Sequence, residues 1–173
     1  AWSVSTLRRL RGSVSPAQRH SWTPENATSW LQHSPGSVPA QPDADKRVSW
    51  FSWRYSGPVY GDYRIWGLEL GQATGLLVTR REPGVEWVVD LYGPSARLDD
   101  LLTAAAETSE APEVRAMAAG HWLTGLFRKA GYLVRPMAGR VVAMSASGRV
   151  LAARDVEIFA GAADIDLMRH PSP

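Results

Sequence analysis

Asp90 is the carboxylate best suited by its surroundings to acid–base chemistry. It lies in the run Glu-Trp-Val-Val-Asp-Leu-Tyr from Glu86 to Tyr92, where burial would raise its pKa toward that of a general base. It is expected on the same side of a strand as Tyr92. Its plainer role is a strand-end aspartate hydrogen-bonded to a neighbouring loop. His121 starts a predicted helix at a strand exit, where an imidazole can meet substrate; helix capping or simple exposure is the plainer alternative. Trp53, Arg54, Tyr55, Tyr60, Tyr63 and Trp66 gather rings around a guanidinium. Such a cluster can line a substrate pocket, with Arg54 anchoring an anion, although ordinary core packing accounts for the same residues.

Much other chemistry is excluded. Zero cysteines rule out disulfides, thiolate metal sites and cysteine nucleophiles. The four histidines (His20, His33, His121 and His170) show no metal-ligand spacing, and Asp164 with Asp166 is too small a set for a cation, so no metal is expected. There is no Gly-x-Ser-x-Gly elbow, Gly-Lys-Ser/Thr phosphate loop, Gly-x-Gly-x-x-Gly fingerprint or His-Glu-x-x-His pair. Asn26-Ala27-Thr28 matches a glycosylation sequon but has no secretion signal to go with it.

The elements that must position these residues divide the chain into a polar front and a regular α/β back. In the front, Ser15-Pro16 and Thr23-Pro24 each join a capping hydroxyl to a proline suited to a first helical turn, predicting helices near 16–21 and 24–32. Trp2, Leu7 and Leu10 suggest another short helix at the start. Pro35-Gly36 and the stretch from Pro39 to Asp45 read as a loop or linker. From Val48 the pattern changes. Residues 59–70 predict a strand with Tyr63 and Ile65 on one side and Arg64, Trp66 and Leu68 on the other. Strands follow at 74–80 and 86–92, the second apolar enough to be covered on both faces. Leu98, Leu101, Leu102 and Ala105 predict a helix near 97–109, with Asp99 and Asp100 in its favoured acidic first turn. A strand at 114–118 precedes a helix at 121–130 that turns Trp122, Leu123, Leu126 and Phe127 to the core and closes on Gly131. Residues 132–137 and 141–144 predict a hairpin, and an edge strand is expected near 156–159. The boundaries drawn are 1–47 for a helical N-terminal segment and linker, 48–167 for an α/β domain, and 168–173 for a tail.

The chain has 173 residues, 45% of them hydrophobic, enough for one core. No apolar run approaches membrane-spanning length, so no membrane partner is expected. No signal peptide is visible and cysteine is absent, so a cytoplasmic setting is expected. The missing initiator methionine suggests a processed chain or a piece of a longer one. The net charge of +2 conceals seven Lys/Arg against three Asp/Glu in residues 1–58, and twelve against fourteen beyond. Arg54 and Arg64 among aromatics suit base stacking, but the negative back half opposes phosphate binding, so nucleic acid is not expected as a partner.

Short helices, three consecutive strands, then helix, strand, helix and hairpin resemble the element order of the GNAT acyltransferase superfamily. Leu126-Phe127-Arg128-Lys129-Ala130-Gly131-Tyr132 is similar to that family's late helix. Trp53-Arg54-Tyr55, with Pro58 and Tyr60, resembles the opening of the second half of tandem GNAT-like proteins, and the stretch Gly161 to Asp166 resembles their acidic ending. The likeness spans roughly residues 48–167. It implies a mixed, mostly antiparallel central sheet flanked by helices, with Asp90 on a strand that carries a general base in some members.

Two departures shape the functional expectation. The family holds acyl-CoA pyrophosphate on a glycine-rich loop and helix N-terminus, patterned Arg/Gln-x-x-Gly-x-Gly/Ala. Here that loop is Tyr92-Gly93-Pro94-Ser95-Ala96-Arg97-Leu98, with one early glycine, a proline lacking an N–H, and Asp99 and Asp100 to repel phosphate. Gly93, Ser95, Ala96 and Arg97 are the positions where CoA would lie. The tyrosine that protonates the departing thiolate is replaced by Phe127. The resemblance therefore implies the acceptor-binding half of an N-acyltransferase. An N-terminal GNAT half or partner subunit would supply acetyl-CoA or another acyl-CoA, and a small-molecule acceptor would meet Asp90 or His121 as base. The alternatives are a non-catalytic module binding a small molecule or protein, and a self-sufficient acyltransferase.

Overall fold

The computed structural model describes residues 2–6, 17–34, 37–38, 44–56, 63–119, 121–136 and 158–159. Its strands are β1 (Trp2–Thr6), β2 (Gln18–Ser21), β3 (Ser37–Val38), β4 (Tyr63–Leu70), β5 (Ala73–Glu82), β6 (Val85–Pro94), β7 (Glu113–Ala119), β8 (Tyr132–Pro136) and β9 (Ile158–Phe159). Its helices are α1 (Pro24–His33), α2 (Ala44–Tyr55), α3 (Leu98–Glu107) and α4 (His121–Lys129). The sheet order is β2-β4-β5-β6-β7-β1-β8, with β3 added to β6 and β9 to β7. Only β6 and β7 run parallel among the described pairs, joined through α3. The architecture is the expected mixed, mostly antiparallel sheet with helices.

Helices cover both faces. Leu98, Leu101 and Leu102 of α3 and Leu123 and Phe127 of α4 pack on Leu68, Leu77, Val88 and Leu91. On the other face, Ala27 and Leu31 of α1 and Phe51 and Tyr55 of α2 pack on Ile65, Leu76, Val78 and Val89. Tyr63 and Ile65 join the second face and Trp66 and Leu68 the first, as the period of two requires. Each leucine wholly withdrawn from water contributes about 1.5–3 kcal/mol, so strand β6, buried from Glu86 through Gly93, anchors both layers. Helix α1 begins in a capping box. The Asn26 amide donates to the Thr23 hydroxyl at 3.3 Å, and the Thr23 amide donates to Asn26 Oδ1 at 3.2 Å. Gly131, at φ +88°, closes α4 in the left-handed region.

The front of the chain differs from expectation. Residues 18–21 form strand β2 rather than a helix, pairing antiparallel with β4 at the sheet's edge. The expected opening helix is instead β1, inserted between β7 and β8. Within the expected linker, Ser37 and Val38 pair with Pro94 and Gly93, and α2 starts at Ala44. At the other end, β8 pairs with β1, and 141–144 lie outside the described residues. Trp122, expected in the core, is 44% exposed. The acidic stretch at 161–166 also lies outside the described residues.

Candidate functional site

Asp90 owes its position to a β-bulge. Val78 pairs with Asp90 but the next residue, Thr79, pairs with Val88, so Val89 is one extra residue on β6. Val88 and Leu91 pack with α3 and α4, whereas Val89 and Tyr92 pack with α1 and α2. The bulge puts Asp90 on the α2 side as well, immediately after Val89; unbroken alternation would have aimed it at α3. There Asp90 is fully buried. Its Oδ2 accepts from the Tyr55 hydroxyl at 2.7 Å and from the Tyr92 hydroxyl at 2.9 Å. Arg54, one position before Tyr55, is fully buried too. Burial and the negative charge of Asp90 push the Tyr55 hydroxyl well above its ordinary value, against the opposing charge of Arg54. Tyr55 therefore stays protonated and acts as a donor. The Asp90 carboxylate faces these protein hydroxyls; its surroundings hold Tyr55 and Tyr92 in place.

The predicted aromatic cluster divides. Trp53 points outward and is 56% exposed, while Tyr60 lies outside the described residues. Tyr55, Tyr63 and Trp66 come together with Trp22 and Arg64 around an open cleft of about 430 Å³. Tyr55 and Tyr63 meet edge to face at 5.1 Å between centroids. The cleft sits where β2 ends. The last β2 pair is Ser21 with Trp66, the Trp22 amide donates to the Ile65 carbonyl at 2.9 Å, and the chain then turns into α1. A Cβ on Gly67 would lie 2.2 Å from the Trp22 ring, so glycine there lets the indole lie against the strand.

Gly93 serves packing. It is buried in β6, paired with Val38, and a Cβ added to it would lie 2.4 Å from Leu101 Cδ1 of α3. Ser95, Ala96 and Arg97 form an exposed 3₁₀ turn. The start of α3 is committed to its own charges. Arg97 Nε meets Asp100 at 2.7 Å, and Lys129 Nζ meets Asp99 at 2.7 Å. Burial tends to raise the Asp99 carboxyl, but Lys129 and backbone N–H groups outweigh it and hold it below the usual range. Phe127 is fully buried, edge to face with Tyr132 at 5.1 Å, and the Tyr132 hydroxyl donates to the Leu102 carbonyl. His121 opens α4, and its side chain lies outside those described.

A second polar centre was not anticipated. On the α3 side of β6, the nearly buried Glu86 carboxylate is gripped by both terminal nitrogens of Arg19. The Ser109 hydroxyl donates to the same carboxylate at 2.6 Å. Burial pushes the Glu86 carboxyl up, but the hydrogen bonds from Arg19 and Ser109 prevail and leave it below the ordinary value. The Arg19 guanidinium also lies 4.0 Å above the Trp66 ring, whose Nε1 donates to Thr79 at 2.9 Å. A cleft of about 130 Å³ opens beside this centre, lined by Arg19, Arg64, Trp66, Arg81, Glu86 and Glu110. The signal for it was present: Glu86, like Asp90, is a carboxylate within an apolar strand.

Among the described residues no cluster of three His, Asp or Glu side chains could hold a metal ion. No described helix is long and apolar enough to cross a membrane. No protein family, curated protein or solved structure matches this chain.

Proposed function

We propose that this chain is a small-molecule-binding domain whose ligand occupies the cleft between Trp22, Tyr55, Tyr63 and Trp66. The observation that carries the reading is the convergence of those four rings on one open cleft of about 430 Å³. Aromatic walls with a few fixed polar groups are the usual composition of a small-ligand site, and 430 Å³ lies within the usual range of roughly 300–1,000 Å³. Tyr55 is fixed in that wall by its hydrogen bond to Asp90, so the surface is preorganised.

The Leu126 to Tyr132 resemblance favours one specific form of this function: the acceptor-binding half of an N-acyltransferase whose acyl-CoA is held by another half or subunit. Gly93 beneath Leu101 and the paired acids at the start of α3 argue against a pyrophosphate cradle in this chain. The enclosure of Asp90 argues against its acting as base on a bound acceptor.

Calorimetric titration with benzamide, a neutral planar probe, tests the cleft: binding that Tyr63→Ala weakens supports it, and no binding refutes it. A parallel titration with acetyl-CoA should show no binding up to millimolar concentration. Micromolar affinity would overturn the division of labour and make the chain a self-sufficient acyl-CoA binder.

A further inference from the structure

The arginine-lined cleft and the aromatic cleft are not separate features. Arg64 and Trp66, two positions apart on one face of β4, line both. The smaller cleft presents three guanidinium groups (Arg19, Arg64 and Arg81) against two carboxylates (Glu86 and Glu110). Glu86 is already satisfied by Arg19 and Ser109. Glu110 meets Arg81 at 3.0 Å, but its side chain is 83% exposed and that of Arg81 39%. A pair so open to water is weak, and Arg81 can exchange it for another anion. Arg64 makes no ion pair among the described residues, so the cleft carries one guanidinium in excess. Arg19 adds a second sign. Its side chain is 8% exposed, and its buried Nε has no hydrogen-bond partner among the described residues. A buried N–H of this kind is costly unless something accepts from it.

We infer that the cleft between Arg64, Arg81 and Arg19 is an anion subsite, holding a carboxylate or phosphate on the same molecule whose planar part lies in the aromatic cleft. Guanidinium groups grip oxyanions through paired N–H bonds, and the Trp66 indole is fixed between the two compartments by Thr79 and Arg19. At about 130 Å³ the smaller cleft has room for one such group and little more. The inference rests on the aromatic cleft being the ligand site, and it narrows the ligand to small planar acids or phosphate esters.

The test compares benzamide, benzoate and phenyl phosphate, each titrated calorimetrically into the full chain. One of the anions should bind at least about tenfold tighter than benzamide, the factor that a charge-assisted pair provides. Whichever anion gains more identifies the group as carboxylate or phosphate. The gain should vanish in Arg64→Gln and shrink in Arg81→Gln, both exposed positions whose loss leaves the fold intact. It should persist in Arg128→Gln, an exposed change on α4. Benzamide binding with no anion advantage, or an advantage that survives Arg64→Gln, overturns the subsite while leaving the aromatic cleft standing. Failure of all three probes refutes both readings.

Discussion

Leu101 occupies a hollow made by two glycines, and that hollow can be tested by filling it. A Cβ at Gly93 would lie 2.4 Å from Leu101 Cδ1, and a Cβ at Gly75 on the adjacent strand would lie 2.8 Å from the same carbon. Leu101 is fully buried, so its side chain has nowhere open to retreat. Gly93→Ala should therefore overpack the junction of α3 with β5 and β6 and cost about 1–3 kcal/mol. Leu101→Ala alone should cost about 2–5 kcal/mol through the cavity it leaves. Combined, the added methyl finds that cavity, and Gly93→Ala should become close to neutral. Urea unfolding followed by tryptophan fluorescence measures all three variants. At about 2–4 °C of melting temperature per kcal/mol for a chain of this size, thermal unfolding gives an independent reading. Additivity within about 0.5 kcal/mol would refute the packing role of Gly93, as would a neutral Gly93→Ala single variant.

Three further variants test buried side chains, two in the polar centres and one in the core. Asp90→Ala leaves two buried tyrosine hydroxyls without their acceptor and should cost at least about 2 kcal/mol; denaturation that shows less would mean the network is not structural. The same variant should weaken benzamide binding, because Tyr55 loses its anchor. Glu86→Gln should cost about 3–5 kcal/mol at neutral pH by leaving Arg19 buried without its countercharge. Because the folded Glu86 carboxyl is held below its ordinary value of 4.5, its contribution is present above that pH and is lost as pH falls through the lower folded value. Stability curves of wild type and Glu86→Gln should thus converge in acid, and curves that stay parallel would contradict the ion pair's role. Phe127→Tyr places a hydroxyl in a fully buried site and should cost about 1–3 kcal/mol without conferring acyl transfer, as denaturation and a thiol-release assay would show.

The back half was legible because its strands and helices alternate with the periods that burial imposes. Leu98, Leu101 and Leu102 announce α3, and Tyr63 and Ile65 against Trp66 and Leu68 announce the two faces of β4. The front was not. Gln18 to Ser21 is a polar edge strand with little to bury, so nothing in its pattern separates it from a loop or short helix. The preceding Ser15-Pro16 pointed the wrong way. The bulge at Val89 has no glycine, proline or asparagine to signal it, and its consequence, the turning of Asp90 toward α2, exists only in the pairing with β5. Pairing between distant strands likewise created the Arg19–Glu86 contact, joining an edge strand to an interior one. Of the aromatic site, Tyr55, Tyr63 and Trp66 were visible as a local cluster, whereas Trp22 arrives from another element.

The position of β1 sets the order in which the molecule can be built. Strands β4, β5 and β6 are neighbours in sequence and joined by tight turns, so they can zip together while the chain is still short. Strand β1, made before them, has no partner then. Its places lie beside β7 and β8, in the far half of the chain. Until it docks, β7 offers an open edge to any extended segment nearby, which is the period of greatest aggregation hazard. The closing step of folding is therefore the docking of β1 between β7 and β8.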